Sequence, residues 1–297
     1  MSQDVIVVGG SYAGMAAALQ LLRARRKVLV IDAGQRRNRT ATTSHGFLGQ
    51  DGSDPAEIAR VARSQLERYP TLTWLEGWAV AATGGRDDFN VTTRDGAQHH
   101  ARRLLLALGV SDALPDVPGL AERWGRSVFH CPYCHGYELG QGEVGVVATG
   151  PMSVHQAKLL AEWGRVTLFA NGVLEPDPAV ADELSARGVA TEPTRIARIE
   201  GHADVVLGDG RCLRFAGLFT APRNAPASDL AARLGCELMD TPMGTQIRAG
   251  DNRETSIPGV FACGDVARVP HSVSLAVGDG AWAGAQVHQS LVFPPAA

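Results

Sequence analysis

Apolar residues follow two rhythms along this chain. Short, mainly apolar runs occur at Val5–Val8, Val28–Ile31, Leu104–Leu106, Val144–Val147, Val166–Phe169 and Val260–Ala262. Runs of this length, rich in valine and isoleucine, predict strands buried on both faces, as in a parallel sheet. Between them lie stripes at helical spacing. Ala17, Ala18, Leu21 and Leu22 form one, Pro55 to Tyr69 reads as an amphipathic helix, and further helices are predicted from Met152 to about Trp163, around Ser228–Leu234, and from Ser272 to Val287. Thr71 to Ala82 and Phe89 to Thr93 supply short strand candidates, the second followed by an Asp95-Gly96 turn, and weak strands alternate with turns from Ala197 to Ala221. Pro115, Pro118 and Gly119 read as a linker. The order strand, helix, strand occurs twice, so the predicted class is α/β with two dinucleotide-binding units of Rossmann type.

The first unit is the better formed. Its strand runs directly into Gly9-Gly10-Ser11-Tyr12-Ala13-Gly14, a helix follows, and the second strand ends in Asp32. Gly9 allows the tight turn and Gly14 a close approach of helix and strand. The helix N-terminus faces a pyrophosphate, and Asp32 can accept from a ribose. Ser11 stands where the middle glycine of the usual pattern would be. The second unit, Glu143 to Ser153, is a worn copy: Ala148 and Ser153 occupy the outer glycine positions and only Gly150 remains. Its second strand ends in Ala170-Asn171-Gly172, with no acid for a ribose and no Lys or Arg between Arg165 and Arg187 for a 2′-phosphate. Arg187 or Arg223 would have to fold back to supply that charge. A nicotinamide cofactor is therefore expected to bind too weakly to be useful.

Composition narrows the class. The 297 residues suffice for two domains, with 45% hydrophobic and 20% charged residues and a net charge of −3. No basic run points to nucleic acid; Arg25-Arg26-Lys27 and Arg36-Arg37 read as solvated ends of a buried strand. No apolar run reaches the roughly 20 residues of a membrane span, and the N-terminus enters a strand without a signal-peptide pattern. A cytoplasmic location is the expectation.

In a reducing compartment a cysteine pair points to catalysis rather than structure. Cys131-Pro132-Tyr133-Cys134-His135-Gly136-Tyr137-Glu138 holds such a pair, spaced to close a small disulfide ring. If the downstream residues start a helix, its N-terminus favours a thiolate, and His135 can add positive charge or move a proton. Glu138 is a candidate for proton transfer, or a solvated acid at a helix start. Half a zinc site is the competing reading, but no second cysteine pair or close histidine pair completes four ligands. Cys212, Cys236 and Cys263 stand alone and read as small buried residues. Near the middle of the chain, between two nucleotide-binding starts, the pair also differs from that of a glutaredoxin, where it follows the first strand. The segment Ile257 to Asp265 reads as a strand ending in Gly264-Asp265, an acid placed for a polyol chain or flavin edge.

The glycine turn with Asp32, the central Cys131/Cys134 pair and Phe261-Ala262-Cys263-Gly264-Asp265 together resemble the low-molecular-weight thioredoxin reductase family over nearly the whole chain. The resemblance implies a discontinuous FAD domain, residues 1–112 and 242–297, into which residues 113–241 are inserted as a pyridine-nucleotide-type domain carrying the dithiol. It implies FAD held by Gly9, Ser11, Gly14, Asp32, Gly109, Gly264 and Asp265, with the His45-Gly46-Phe47 loop near the flavin. Cys134 would face the flavin and Cys131 would exchange with substrate. The motif Cys-x-x-Cys-His-Gly-Tyr-Glu is most similar to the dithiol oxidases that close disulfides in gliotoxin- and holomycin-type natural products, which pass electrons through flavin to oxygen. An NADPH- or ferredoxin-dependent reductase of thioredoxin or another disulfide is the alternative, and a non-catalytic flavin redox sensor ranks below both. The partners implied are a small dithiol or disulfide, or a thioredoxin-like protein, and a second copy of the chain in a homodimer.

Overall fold

The apolar runs become the middles of two sheets. The computed structural model describes residues 2–293. Strand β1 (Gln3–Val8) lies between β2 (Val28–Asp32) and β6 (Gln98–Leu106), parallel to both, and β3 (Leu72–Glu76) continues the sheet beyond β2. On the other side β4 (Ala79–Gly85) and β5 (Asp88–Thr93) join β6 as an antiparallel meander. The stretch Thr71 to Ala82 thus holds two strands, interrupted at Gly77 and Trp78. Val5, Ile6 and Val7 are wholly buried, as a central strand covered on both faces must be. Helix α1 (Tyr12–Arg23) covers one face, and α2 (Pro55–Leu66) starts where the Asp54 carboxylate accepts from the Ala56 amide at 2.6 Å.

The chain leaves this layer through β7 (Val110–Ala113) and builds a second sheet. Its strands are β8 (Val128–Phe129), β9 (Glu143–Val147), β10 (Arg165–Phe169), β11 (Ala190–Glu192) and, after a small antiparallel sheet of β12 (Ile196–Glu200), β13 (Asp204–Leu207) and β14 (Cys212–Arg214), the strand β15 (Gly217–Thr220). The order β11-β10-β9-β15-β8 is parallel throughout. One-turn helix α3 (Pro132–His135) precedes β9, while α4 (Met152–Leu160) and α5 (Pro178–Ala186) are the crossovers. Cys212, expected in a core, is exposed, because β14 is an edge strand paired only with β13. Cys236 and Cys263 are buried as expected.

The chain returns on β16 (Arg223–Pro226), antiparallel to β7, so outgoing and returning strands form one ladder between the two sheets. The helix expected around Ser228 is short, α6 (Leu230–Leu234), ended by Gly235 in the left-handed region. Strands β17 (Leu238–Thr241) and β18 (Gly244–Ile247) extend the ladder. Strand β19 (Val260–Ala262) then re-enters the first sheet beside β6, and α7 (Val273–Val292) closes the fold against α1. Among the described residues no helix is long and apolar enough to cross a membrane.

The α1–α7 contact explains why the last helix is rich in small residues. A Cβ at Gly280 would lie 2.1 Å from the Ala13 carbonyl oxygen, and one at Gly284 would lie 2.5 Å from that of Ala17. The far end of α7 is tied down by wholly buried Arg103, which donates to the Ser290 hydroxyl at 2.9 Å and carbonyl at 2.7 Å and pairs with Asp87. Replacing Gly280 with Val should cost at least about 1–3 kcal/mol, because backbone is struck and neither helix can yield without losing its sheet contacts. Urea unfolding checks this; a midpoint equal to that of the unsubstituted protein would contradict the packing.

Candidate active site

The sheet ends meet at a single turn. Gly9 has φ +103°, and a Cβ there would fall 2.2 Å from the Ala107 carbonyl oxygen; one at Gly14 would fall 1.8 Å from the Gly9 oxygen. Only glycine allows either approach. The Gly10 amide donates to Asp32 Oδ1 at 3.0 Å, which fixes the turn and leaves the other carboxylate oxygen without a protein partner. Ser11 caps α1 with no side-chain hydrogen bond, and no acid stands in the first turn, so the N-terminal amides of this helix are available to an anion.

In front of this turn lies a cavity of about 810 Å³. Gly9, Ser11, Asp32, His45, Gly109, Gly264 and Asp265 all line it, and so do Cys131, Cys134 and His135. Of the residues singled out in the sequence, Gly14 lies behind the turn and Glu138 outside the lining. The fit to a flavin dinucleotide is tested by the wall. The glycine cradle and bare helix N-terminus suit a pyrophosphate. Asn38 lines the cavity, spends its amide on the Tyr12 hydroxyl at 3.1 Å, and leaves Oδ1 buried with no donor. That oxygen is closed off by the protein itself, so the fit rests on the glycine cradle and the free helix N-terminus. The residues fit the group.

Cys131 and Cys134 form a disulfide, with Cα atoms 5.3 Å apart. Cys131 is the N-cap of α3, but that helix is a single turn continued only by a 3-10 turn at Tyr137–Leu139, so its dipole is short. His135 stacks on Phe129 with ring centroids 4.2 Å apart. Burial, reinforced by the nearby His45, lowers its pKa from the usual 6.5 to about 4. At neutral pH His135 is therefore uncharged, so of the two roles its sequence position suggested, added charge or proton movement, only the second is left to it.

Sequence reasoning missed the polar hub of the cavity. Arg37, read as a solvated strand end, turns inward. Its Nε and Nη2 donate to Asp112 at 2.9 and 2.5 Å, and its Nη1 pairs with Asp265 at 3.3 Å and His271 Nδ1 at 2.9 Å. Asp265 thus faces the cavity sharing one guanidinium with Asp112. His130, beside Cys131, is also pushed down to about 4, by burial first and by Arg37 next. An Arg in the loop after β2 and an Asp just past Gly109 were the visible signals, but nothing in their spacing links them.

The second unit keeps the strand–turn–helix shape with a different interior. Ser153 is fully buried, and its hydroxyl accepts from the Thr149 amide at 2.9 Å, so a turn N–H that could face a phosphate is satisfied within the turn. Neither Arg187 nor Arg223 serves β10: Arg187 caps α5 and Arg223 pairs with Asp240. Arg195 lies there instead, its guanidinium over Gly172, where a Cβ would be 2.7 Å from Nε. Among the described residues no cluster of side chains could hold a metal.

With this geometry in hand, the chain is compared with known proteins. The family model described as pyridine nucleotide-disulphide oxidoreductase matches residues 3–280. The chain is 35% identical to "Thioredoxin reductase tcpT" of Claviceps purpurea, over 97% of this chain and 94% of that one. Among solved structures, an oxidoreductase from Agrobacterium tumefaciens is 55% identical with a TM-score of 0.97, covering 99% of this chain and all of that one. HlmI is 34% identical with a TM-score of 0.91, covering 98% and 93%.

The two imidazoles lowered to about 4 give a pH signature. His130 and His135 take up protons at about 4 in the fold and near 6.5 in the unfolded chain. Between those values the unfolded chain binds more protons, so stability falls as pH drops from 6.5 to 4 and gains nothing from these groups above that window. Replacing both with Gln should flatten the dependence of melting temperature on pH between 7 and 5. An unchanged slope would contradict the burial described.

Proposed function

Because the chain belongs to the pyridine nucleotide-disulphide oxidoreductases, as an FAD-dependent dithiol/disulfide oxidoreductase of the low-molecular-weight thioredoxin reductase-like group, we propose that it oxidises a small-molecule dithiol to a disulfide with oxygen as final acceptor. The observation that carries this reading is the turn of the second unit, whose Thr149 amide is taken by Ser153. Without that donor, and with no acid at the end of β10, a nicotinamide dinucleotide loses several contacts. Each charge-assisted contact is worth roughly 1.5–3 kcal/mol, or about ten- to a hundredfold in affinity. Electrons then have to enter from thiols.

In this reading residues 1–112 and 242–297 hold the flavin and residues 113–241 carry the dithiol. Gly9, Ser11, Gly14, Asp32, Gly109, Gly264 and Asp265 receive FAD, whose chemistry is to take two electrons from the thiol pair and release them to an acceptor. A substrate thiolate attacks the Cys131–Cys134 disulfide at Cys131 and frees Cys134; the second substrate thiol then attacks the mixed disulfide and leaves as product disulfide. His130 and His135, uncharged at neutral pH, can exchange protons with these sulfurs without stabilising a resting thiolate. The working form is a cytoplasmic homodimer.

One observation favours a second reading. Arg195, exposed over Gly172 and without a side-chain partner among the described residues, offers a cation where a 2′-phosphate would be read. That arrangement would serve NADPH-dependent reduction of a small disulfide or a thioredoxin-like protein.

Oxygen uptake separates the two. In air with dithiothreitol, the protein should make about one peroxide per dithiol consumed over many turnovers. Faster NADPH oxidation with a disulfide acceptor would favour the reductase, and a single cycle without turnover would favour a sensor. Cys134→Ser should trap a substrate adduct at Cys131 by mass spectrometry; an adduct formed only at Cys134 in the Cys131→Ser protein would reverse the two roles.

A further inference from the structure

His45 belongs to the loop after β2, and its surroundings are not those of a residue that simply touches a cofactor. Its Nδ1 is 3.4 Å from Glu138 Oε1, which stands just beyond the dithiol turn, and 3.6 Å from Asp51 Oδ1 of its own loop. Asp51 is held in place by accepting from the Gly46 amide at 2.8 Å, and the Gly46 carbonyl accepts from Ser274 of α7 at 2.8 Å. The loop is thus anchored on both sides, and the imidazole bridges it to the segment that carries the cysteines. In the tautomer with its proton on Nδ1, toward both carboxylates, Nε2 is the free acceptor.

Exposure is graded along this group. The His45 side chain lines the cavity and is 17% exposed, Glu138 is 40% exposed and Asp51 69%. The third titratable neighbour, His135, is packed on Phe129 and shares the cavity wall with His45. A path of ionisable groups therefore runs from the dithiol chamber to bulk water, and among the described residues Glu138 joins the dithiol side to the outer loop through His45.

We propose that His45, oriented by Glu138 and Asp51, is the proton port of the thiol chamber, taking the protons that a substrate dithiol gives up and passing them to solvent. The inference rests on the thiol–disulfide reading above. In the exchange the substrate's two S–H bonds and the Cys131–Cys134 bond break and the substrate's S–S bond forms. The substrate is oxidised by two electrons, the cysteine pair is reduced by the same two to a pair of thiolates, and two protons are released. His45 accepts one proton at Nε2 as an imidazolium beside the two carboxylates and keeps its Nδ1 proton toward them. It then gives a proton up to water, which restores the same neutral tautomer before the second proton is taken. The buried His135 lacks a carboxylate partner for such a handover. Glu138, which lies outside the cavity lining, acquires a role through His45.

The test is the rate at which dithiothreitol opens the Cys131–Cys134 disulfide in the FAD-loaded protein, read without oxygen by quenched alkylation and mass spectrometry at several pH values. His45→Gln should slow opening roughly a hundredfold near neutral pH, at the low end of what a positioned base contributes. The rate should then rise about tenfold per pH unit, following the thiolate of the reagent, whereas the unsubstituted protein should show a shallower profile. Glu138→Gln with Asp51→Asn should steepen the profile in the same way, which keeps the test valid if His45→Gln loses flavin. A variant profile that overlays the unsubstituted one overturns the port while leaving the thiol–disulfide reading intact. If dithiothreitol does not open the disulfide of the unsubstituted protein at all, that reading fails and the port with it.

Discussion

The contact between the Gly9 turn and the Ala107 carbonyl is the constraint on which the rest of this structure depends. It brings the ends of β1 and β6 together, and Gly14 lets the first turn of α1 lie against the same backbone. Gly264 completes the arrangement from β19, since a Cβ there would fall 2.7 Å from that of Ala13. Gly9 and Gly14 of one turn and Gly264 from the far end of the chain thus put strand ends and a bare helix N-terminus around one space. The small residues of α7 follow from the same packing, because α1 cannot take that position unless the last helix comes equally close on its other side.

What the cavity does is set by how its charges are balanced. Arg37 draws Asp112 and Asp265 onto one guanidinium, so Asp265 meets the cavity beside a fixed cation while the trio keeps one net negative charge. Such a pair costs desolvation and tolerates the loss of neither partner. Around the disulfide the opposite rule holds. Among the described residues His130 and His135 are buried without a hydrogen-bonded or ion-paired carboxylate and stay uncharged, while His45, at the edge, has two carboxylates near Nδ1. The sulfur chemistry therefore sits among neutral groups, with ionisable ones at the exit.

Much of this was legible in sequence where a local rule suffices. Val5–Val8, Gly9, Gly14, Asp32 and the cysteine pair each declare themselves by type and spacing over a few residues. The misreadings share a physical cause: they concern residues whose partners are remote in sequence. Arg37 looked solvated because Asp112 and Asp265 lie 75 and 228 residues away. Cys212 looked like core because its strand's place at a sheet edge is a tertiary fact. Which of two roles His135 could take, added charge or proton movement, was open in the motif because its stacking on Phe129 and its neighbour His45 are invisible there. At the second unit the sequence registered lost glycines, but only the structure shows Ser153 turning inward and Arg195 lying across Gly172.

The central claim is that the cavity joins a thiol pair to FAD and that thiols, rather than a nicotinamide, supply its electrons. The most direct test is to follow flavin absorbance without oxygen while titrating first NADPH and then dithiothreitol. The account predicts little bleaching with NADPH at micromolar concentrations and full bleaching with the dithiol, lost in Cys134→Ser. Rapid, complete bleaching by micromolar NADPH would contradict it.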